Sequence, residues 1–484
     1  MNAQQVKLPQ HSDNLSNLLA KAGLNNQQQQ YLKYFINRYS TRTKTSKQIS
    51  QTSRAFLADD KNLGEFNLLF KEMYYPIVAS RSLGSKIWDV DGNEYVDVMM
   101  GLGINFFGHN PSFIKEALIT QMDKGIQIGP QSELVGEVAE LVSQFTGMER
   151  VCFSNTGTEA VMSAVRIARA VTGRNKIVIF SGSYHGHFDG TLIKANKTEN
   201  NHSALPLAPG VIPNFVNDVL VLDYGNPESL EIIKTHQQEL AAVLVVPVQT
   251  SRPALQPKEF LCQLRELTQA TEIALIFDEM VTGFRIHPGG AQAHFGVQAD
   301  IATYGKIVGG GMPIGVIAGK SKYMDAIDGG MWNYGDDSYP QIQKTFFAGT
   351  FCKHPLAMRA AKAVLQYLQS EGSSLHQKLN ERTTLFVTAL NNYFAAEGLP
   401  LRMANFGSLF GSASVELAEG NSAASIAMSL LKYHLLDQGV HLLGVSGYLS
   451  TVHTDEDINY IIQAVKDSVE QLRSGGFLPP RAAV

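Results

Sequence analysis

The stretch ADIATYGKIVGGGMPIG spans Ala299 to Gly315. Ile301, Ala302, Thr303 and Tyr304 make an apolar run of strand length. The run ends beside a single lysine, Lys306, and Gly309, Gly310 and Gly311 follow almost at once. A lysine is costly to bury, and three glycines in a row cost backbone entropy. Two readings compete. Either this is an ordinary surface loop, or an amine is held at the end of a buried strand because a site needs it.

Outward from this stretch the same pattern recurs. VCF (151–153), KIVIF (176–180), AAVLVV (241–246), IALIF (273–277) and IGVIAG (314–319) are further apolar runs of strand length. Between them, Leu134, Val135, Val138, Leu141, Val142 and Phe145 recur at helical spacing. Glu159 to Ala170 reads as a helix that Gly173 can end. This alternation over 111–350 predicts an α/β fold, with a mainly parallel central sheet flanked by helices. After about Phe351 the chain turns helix-rich, with PLAMRAAKAVLQYLQ and DEDINYIIQAVKDSVEQL both periodic. That predicts a smaller α+β C-terminal domain over 351–484. In the segment 51–110, KIWDVDGNEYVDV (86–98) signals a hairpin around Asp91-Gly92. Residues 1–50 are polar and rich in Gln, Ser and Thr. They read as a linker or flexible arm with one short helix from Tyr31 to Tyr39.

The totals narrow the function classes. A chain of 484 residues implies two large lobes or three smaller ones. A net charge of −4 gives no electrostatic reason to expect nucleic acid or an anionic membrane surface. Cys152, Cys262 and Cys352 are far apart and form neither a CxxC pair nor a disulfide framework. No apolar run approaches a membrane span, and MNAQQVKLPQHSDN has no signal core, so a cytoplasmic protein is expected. Asn196-Lys197-Thr198 matches a glycosylation pattern, here read as chance.

Four places carry chemistry-bearing residues. SNTGTEA (154–160) follows a strand and opens a helix. Thr156 and Glu159 have capping-box spacing, Gly157 allows close backbone approach, and Thr158 offers a hydroxyl and an amide at a helix N-terminus. Alone, this also describes a well-capped helix. FDEMVTGFR (277–285) puts Asp278 at the end of an apolar strand, where ligands bind in parallel sheets. Alone, Asp278 could equally cap a helix. Lys306 ends the next strand, and a desolvated lysine is a nucleophilic amine that forms Schiff bases. YHG (184–186) follows KIVIF, and Tyr184 could stack on a planar ring. GMPIGVIAGKS fails the P-loop spacing by one residue, no GxGxxG follows a first strand, and no clustered Cys/His spacing suggests a metal. One cofactor needs an anion cradle, a stacking face, a carboxylate for a ring nitrogen and a lysine for an aldehyde: pyridoxal phosphate.

GNEYVD, GHNP (108–111), SNTGTEA, YHG, DEMVTGFR, TYGKIVGGGMPIG and FAGTF (347–351) occur in that order. In this, the chain from about residue 65 onward resembles the class III, fold type I, pyridoxal-phosphate aminotransferases. DEMVTGFRIHPGGAQAHFG is most similar to the glutamate-1-semialdehyde aminomutase branch. PVQTSRPALQP, DGGMWNYGDDSYP and TFFAGTFCKHPLAM resemble aminotransferase modules of polyketide and nonribosomal peptide synthases. The resemblance implies that Lys306 holds the cofactor covalently and that Asp278 pairs with its ring nitrogen. Tyr184 and Met280 would lie on the two ring faces, Gln249 near the ring hydroxyl, and Gly157 and Thr158 at the phosphate. Thr350 would reach the phosphate of a partner subunit, so a homodimer is implied.

The expected reaction moves an amino group from an amino-acid donor to a carbonyl acceptor. That acceptor could be a β-keto thioester on an acyl carrier protein, or an aldehyde. The alternative is intramolecular 2,1-aminomutation. A catalytically silent scaffold is disfavoured by the intact Lys306 and Asp278, and a nicotinamide oxidoreductase by the missing fingerprint. Two departures stand out. Val246 replaces the family's glutamate before Pro247-Val248, and MMGLGINFFGHN lacks the branch's tryptophan near Gly101 and Leu102. The latter predicts a pocket opened for a larger acceptor.

Overall fold

Seven apolar segments pair into one sheet in the computed structural model, which describes residues 22–59, 66–196, 204–413, 423–442 and 446–481. They are β1 (Arg150–Ser154), β2 (Lys176–Phe180), β3 (Val219–Leu222), β4 (Leu240–Val245), β5 (Ala274–Asp278), β6 (Ile301–Tyr304) and β7 (Gly315–Gly319). Their order across the sheet is β1-β7-β6-β5-β4-β2-β3. β5 runs parallel to β4 and β6, and β2 runs parallel to β3 and β4. β7 alone is antiparallel to its neighbours β6 and β1. Every residue of β4, β5, β6 and β7 is buried, as strands covered on both faces require. The edge strand β3, sequence VLVL, went unread in the sequence although it is apolar throughout.

Strand alternation sorts the core into two sides. Ile177 and Ile179 cluster with Ala160, Ala164 and Ala168 of helix Gly157–Thr172, whose small residues let it lie close to the sheet. Val178 and Phe180 join the cluster on the opposite side. Gly173 closes that helix in the left-handed conformation, as its sequence position predicts. Helix Pro355–Glu371 packs on helices Ser112–Lys124 and Leu134–Thr146 and on the turn Lys306–Gly309. The C-terminal part adds a three-stranded antiparallel sheet, Met403–Phe406, Leu409–Ser412 and Gly447–Tyr448, with helices Ser373–Ala396, Ala423–Asp437 and Asp455–Ser474.

The hairpin is present as strands Lys86–Asp89 and Glu94–Asp97, with Trp88 opposite Glu94. Val440–His441 adds to it in parallel and ties the hairpin to the C-terminal part of the chain. At that junction Asp97 accepts from His109 Nε2 at 2.7 Å and His441 Nδ1 at 2.8 Å.

The polar-arm reading of residues 1–50 needs correcting where the structure describes it. Residues 26–53 form two helices, Asn26–Arg42 and Lys44–Ser53. Leu32, Phe35, Ile36 and Tyr39 are buried. The glutamine run starts a capped helix: Asn25 and Gln28 form a capping box, and Gln27 and Gln28 donate to the carbonyls of Ser474 and Gly476, each at 2.7 Å. Polar composition concealed this because the long side chains bond to distant backbone. Residues 1–21 and the Lys197-Thr198 half of the glycosylation pattern lie outside the described residues. Among the described residues no helix is long and apolar enough to cross a membrane.

Candidate active site

β5 delivers Asp278 to the carboxyl end of the sheet, where open α/β folds bind ligands. Asp278 is 4% exposed. Its Oδ2 lies 2.9 Å from His185 Nδ1, and its Oδ1 accepts the Met280 amide at 3.2 Å. Nothing local in YHG distinguishes this histidine, and only its contact with Asp278, 93 positions away, shows that it belongs to the site. The neighbouring Glu279 turns the other way. Its oxygens accept the amides of Ala291 and Gln292 and the hydroxyl of Thr282, and burial pushes its pKa up to about 7. Glu279 therefore braces the 282–292 loop and leaves the cavity to Asp278.

Lys306 follows β6 after one glycine and holds a left-handed φ of 46°. For a non-glycine residue this costs about 1–3 kcal/mol and marks a constrained position. Burial lowers the pKa of its amine; Asp278 opposes that shift and Arg285 adds to it. Met280 sits between two glycines: a Cβ at Gly157 or at Gly305 would come within 2.8 Å of its sulfur. The space that Gly157 leaves open is thus filled by Met280 on that side, a packing role the sequence reading had given to a ligand. Thr156 caps helix Gly157–Thr172 by accepting from the Glu159 amide. Glu159 in turn accepts from the Asn155 amide, one residue before the cap.

Gly157, Thr158, Tyr184, Gln249, Asp278, Met280 and Lys306 all line one cavity. Tyr184 is 69% exposed at its mouth. Gln249 donates to the Ser181 carbonyl and the Ser183 hydroxyl, while its Oε1 is buried without a hydrogen-bond partner. Thr350 is exposed and does not line the cavity of its own chain. Gly101 and Leu102 also stay out of it; Ile104 is the residue of that segment that reaches the wall. The small groups at Gly101 and Leu102 therefore do not widen the cavity of this chain, contrary to expectation. Val246, in place of the expected acid, does line the cavity. Within the glycine triplet the requirement is steric. Gly310 has a φ of 57°, and a Cβ there would lie 2.9 Å from Ile114 and 3.0 Å from Val364. It serves a tight turn against two helices rather than the cavity.

The model of the class-III aminotransferase family matches residues 70–466. The chain belongs to the class-III aminotransferases. It is 34% identical over 408 residues to a glutamate-1-semialdehyde 2,1-aminomutase of Desulfitobacterium hafniense (strain Y51), covering 82% of this chain and 91% of that one. Its structure is similar to an omega-transaminase from Sphaerobacter thermophilus, with a TM-score of 0.79, 27% identity and coverage of 88% and 98%. A β-phenylalanine aminotransferase from Variovorax paradoxus matches with a TM-score of 0.78, 27% identity and coverage of 94% and 100%.

This aminotransferase is accordingly a pyridoxal-phosphate-dependent enzyme of fold type I. The residues present fit that cofactor. The unpartnered Gln249 Oε1 can accept a ring hydroxyl proton. The N-terminus of helix Gly157–Thr172 offers free amides to a phosphate. Asp278 is a buried acceptor for a protonated ring nitrogen, and Lys306 is a desolvated amine in the same cavity.

Proposed function

We propose that this aminotransferase moves an amino group between adjacent carbons of a small, carboxylate-bearing amino aldehyde, as a 2,1-aminomutase does. The observation that carries this reading is the 34% identity to aminomutases across nearly their whole length. It reverses the order of the sequence reading, which put intermolecular transfer first. The relatives give no support to the synthase-module resemblance or to an acyl carrier partner.

Pyridoxal phosphate, when bound, supplies an aldehyde carbon for the amino group and a ring that withdraws electrons. In the proposed assignment Lys306 attaches it covalently. When free, the same Nζ would take a proton from the substrate's amine-bearing carbon and later return one to that carbon. The lowered pKa suits this, because a neutral amine is the form that accepts a proton. Asp278 holds the ring-nitrogen proton, and His185 fixes its carboxylate from behind. Gln249 takes the ring hydroxyl, Gly157 and Thr158 the phosphate, and Tyr184 and Met280 the ring faces. A cytoplasmic homodimer in which Thr350 of one subunit serves the other's phosphate belongs to the same proposal.

Intermolecular transamination is the second reading. Val246 gives the cavity an apolar wall beside Ile104 and Val281, which suits an apolar acceptor. Incubating the holoenzyme with glutamate 1-semialdehyde separates the two by mass spectrometry. Formation of 5-amino-4-oxopentanoate without any added acceptor supports aminomutation. Amino transfer only when a 2-oxo acid is supplied supports the second reading. A protein that takes up no pyridoxal phosphate overturns both.

A further inference from the structure

We infer that Arg252 forms an anion subsite at the rim of the active-site cavity and takes the carboxylate of the substrate there. The inference rests on the amino-transfer reading above and adds a residue to it.

The loop after β4 makes two successive tight turns, with the Arg252 amide donating to the Gln249 carbonyl at 3.0 Å and the Leu255 amide donating to the Arg252 carbonyl at 2.9 Å. They set Arg252 beside Gln249. Pro253 seats the loop against Leu409–Ser412: a Cβ at Gly411 would lie 3.5 Å from its ring. Gly182 and Gln249 line the cavity, and Arg252 stands just behind them, so two chemically distinct groups approach Gly182. A Cβ there would lie 3.1 Å from Gln249 Oε1 and 3.7 Å from the guanidinium carbon of Arg252. One is an acceptor with no partner; the other is a cation.

Arg252 is half-buried, and among the described residues nothing hydrogen-bonds or pairs with its guanidinium. The chain's structural arginines are engaged. Arg150 is held by Asp325 and Asp328, and Arg285 by the carbonyls of Val281 and Gly103 and the hydroxyl of Ser408. A half-buried guanidinium without a counter-charge forgoes the forked geometry that matches a carboxylate. The cavity gives a carboxylate little else. Among its described lining residues the basic groups are Lys306, reserved for chemistry, and His185, engaged with Asp278. The Gln249 oxygen repels an anion, so a carboxylate settles on the Arg252 side.

The test uses the pyridoxal-phosphate-loaded wild type, Arg252→Met and Arg252→Lys. Each is titrated with alanine and with ethylamine, the same amine without its carboxylate, while the visible cofactor band is followed. Calorimetry with succinate, which has no amine to react, reads binding alone. Arg252→Met is expected to raise the alanine midpoint about 10- to 100-fold, leave the ethylamine midpoint in place and abolish succinate binding. Arg252→Lys is expected to recover part of the alanine affinity, which separates lost charge from a folding defect. An alanine midpoint unchanged in Arg252→Met, or shifted together with that of ethylamine, overturns the subsite. A wild type that takes up no cofactor ends the amino-transfer reading instead. Succinate then decides alone: binding lost in Arg252→Met upholds the subsite, and binding equal or absent in both proteins overturns it.

Discussion

At Lys306 two unfavourable features coincide, a left-handed φ and a desolvated amine. Neither is expected of a surface lysine, and both suit a reactive amine held in one orientation. Lys306→Ala is expected to bind the cofactor without a covalent link: borohydride reduction then adds no cofactor mass to the chain, whereas the wild type gains it. Asp278→Asn keeps the shape of the site and removes the charge. We expect it to retain the cofactor while single-turnover amino transfer slows by about 10²–10⁴-fold. Seven of the eight expected site residues meet in one cavity. Gly157, Thr158, Asp278 and Lys306 lie at or just past a strand end or helix start, where the fold class places ligands, whereas Gln249 and Met280 were expected from the family resemblance. His185 and Arg252 escaped that logic. Their meaning lies in what they face, an aspartate 93 positions away and the backbone at Gly182.

Among the elements, the helix expected from Tyr31 to Tyr39 is present but longer, Asn26–Arg42, and it is docked rather than part of a free arm. It docks on helix Ala423–Asp437, with the Phe35 ring 4.0 Å from that of His434 and Arg38 paired with Asp437 at 2.5 Å. Phe35→Ala should cost about 3–5 kcal/mol in denaturant unfolding, as a fully buried aromatic does. Burial lowers the pKa of His434 from 6.5 to about 3, so the docked state holds a neutral imidazole. Its contribution is complete above about pH 6.5 and declines as the pH falls toward 3, because the unfolded chain then binds the extra proton. Stability should therefore fall by up to about 1.4 kcal/mol per pH unit in that window. His434→Phe should flatten the slope, read as melting temperature against pH. The apolar positions Leu32, Phe35, Ile36 and Tyr39 already had helical spacing, but glutamines and serines around them masked how much of the segment was structured.

For the whole molecule, the telling surface runs from Met331 to Phe351. Met331, Trp332, Tyr334, Tyr339, Ile342, Phe346 and Phe351 are all exposed in the single chain. So many exposed apolar side chains in one segment mark an interaction surface, and the proposed homodimer would cover them. Light scattering should give twice the chain mass. Tyr334→Asp with Phe346→Asp should return a chain-sized species that also binds pyridoxal phosphate more weakly, since Thr350 lies in the same segment. The sequence by itself determined the α/β class, the strand that ends at Asp278, the one that leads to Lys306, and the cofactor those ends imply. These follow from local periodicity and from side-chain chemistry, which neighbours in sequence already express. Only the tertiary structure decided that the helix of the glutamine-rich segment is docked, that Gly157 and Gly305 make room for Met280, and that Arg252 lies beside the unpartnered Oε1 of Gln249. Those facts depend on which distant atoms come within a few ångströms of each other, and no local pattern encodes that.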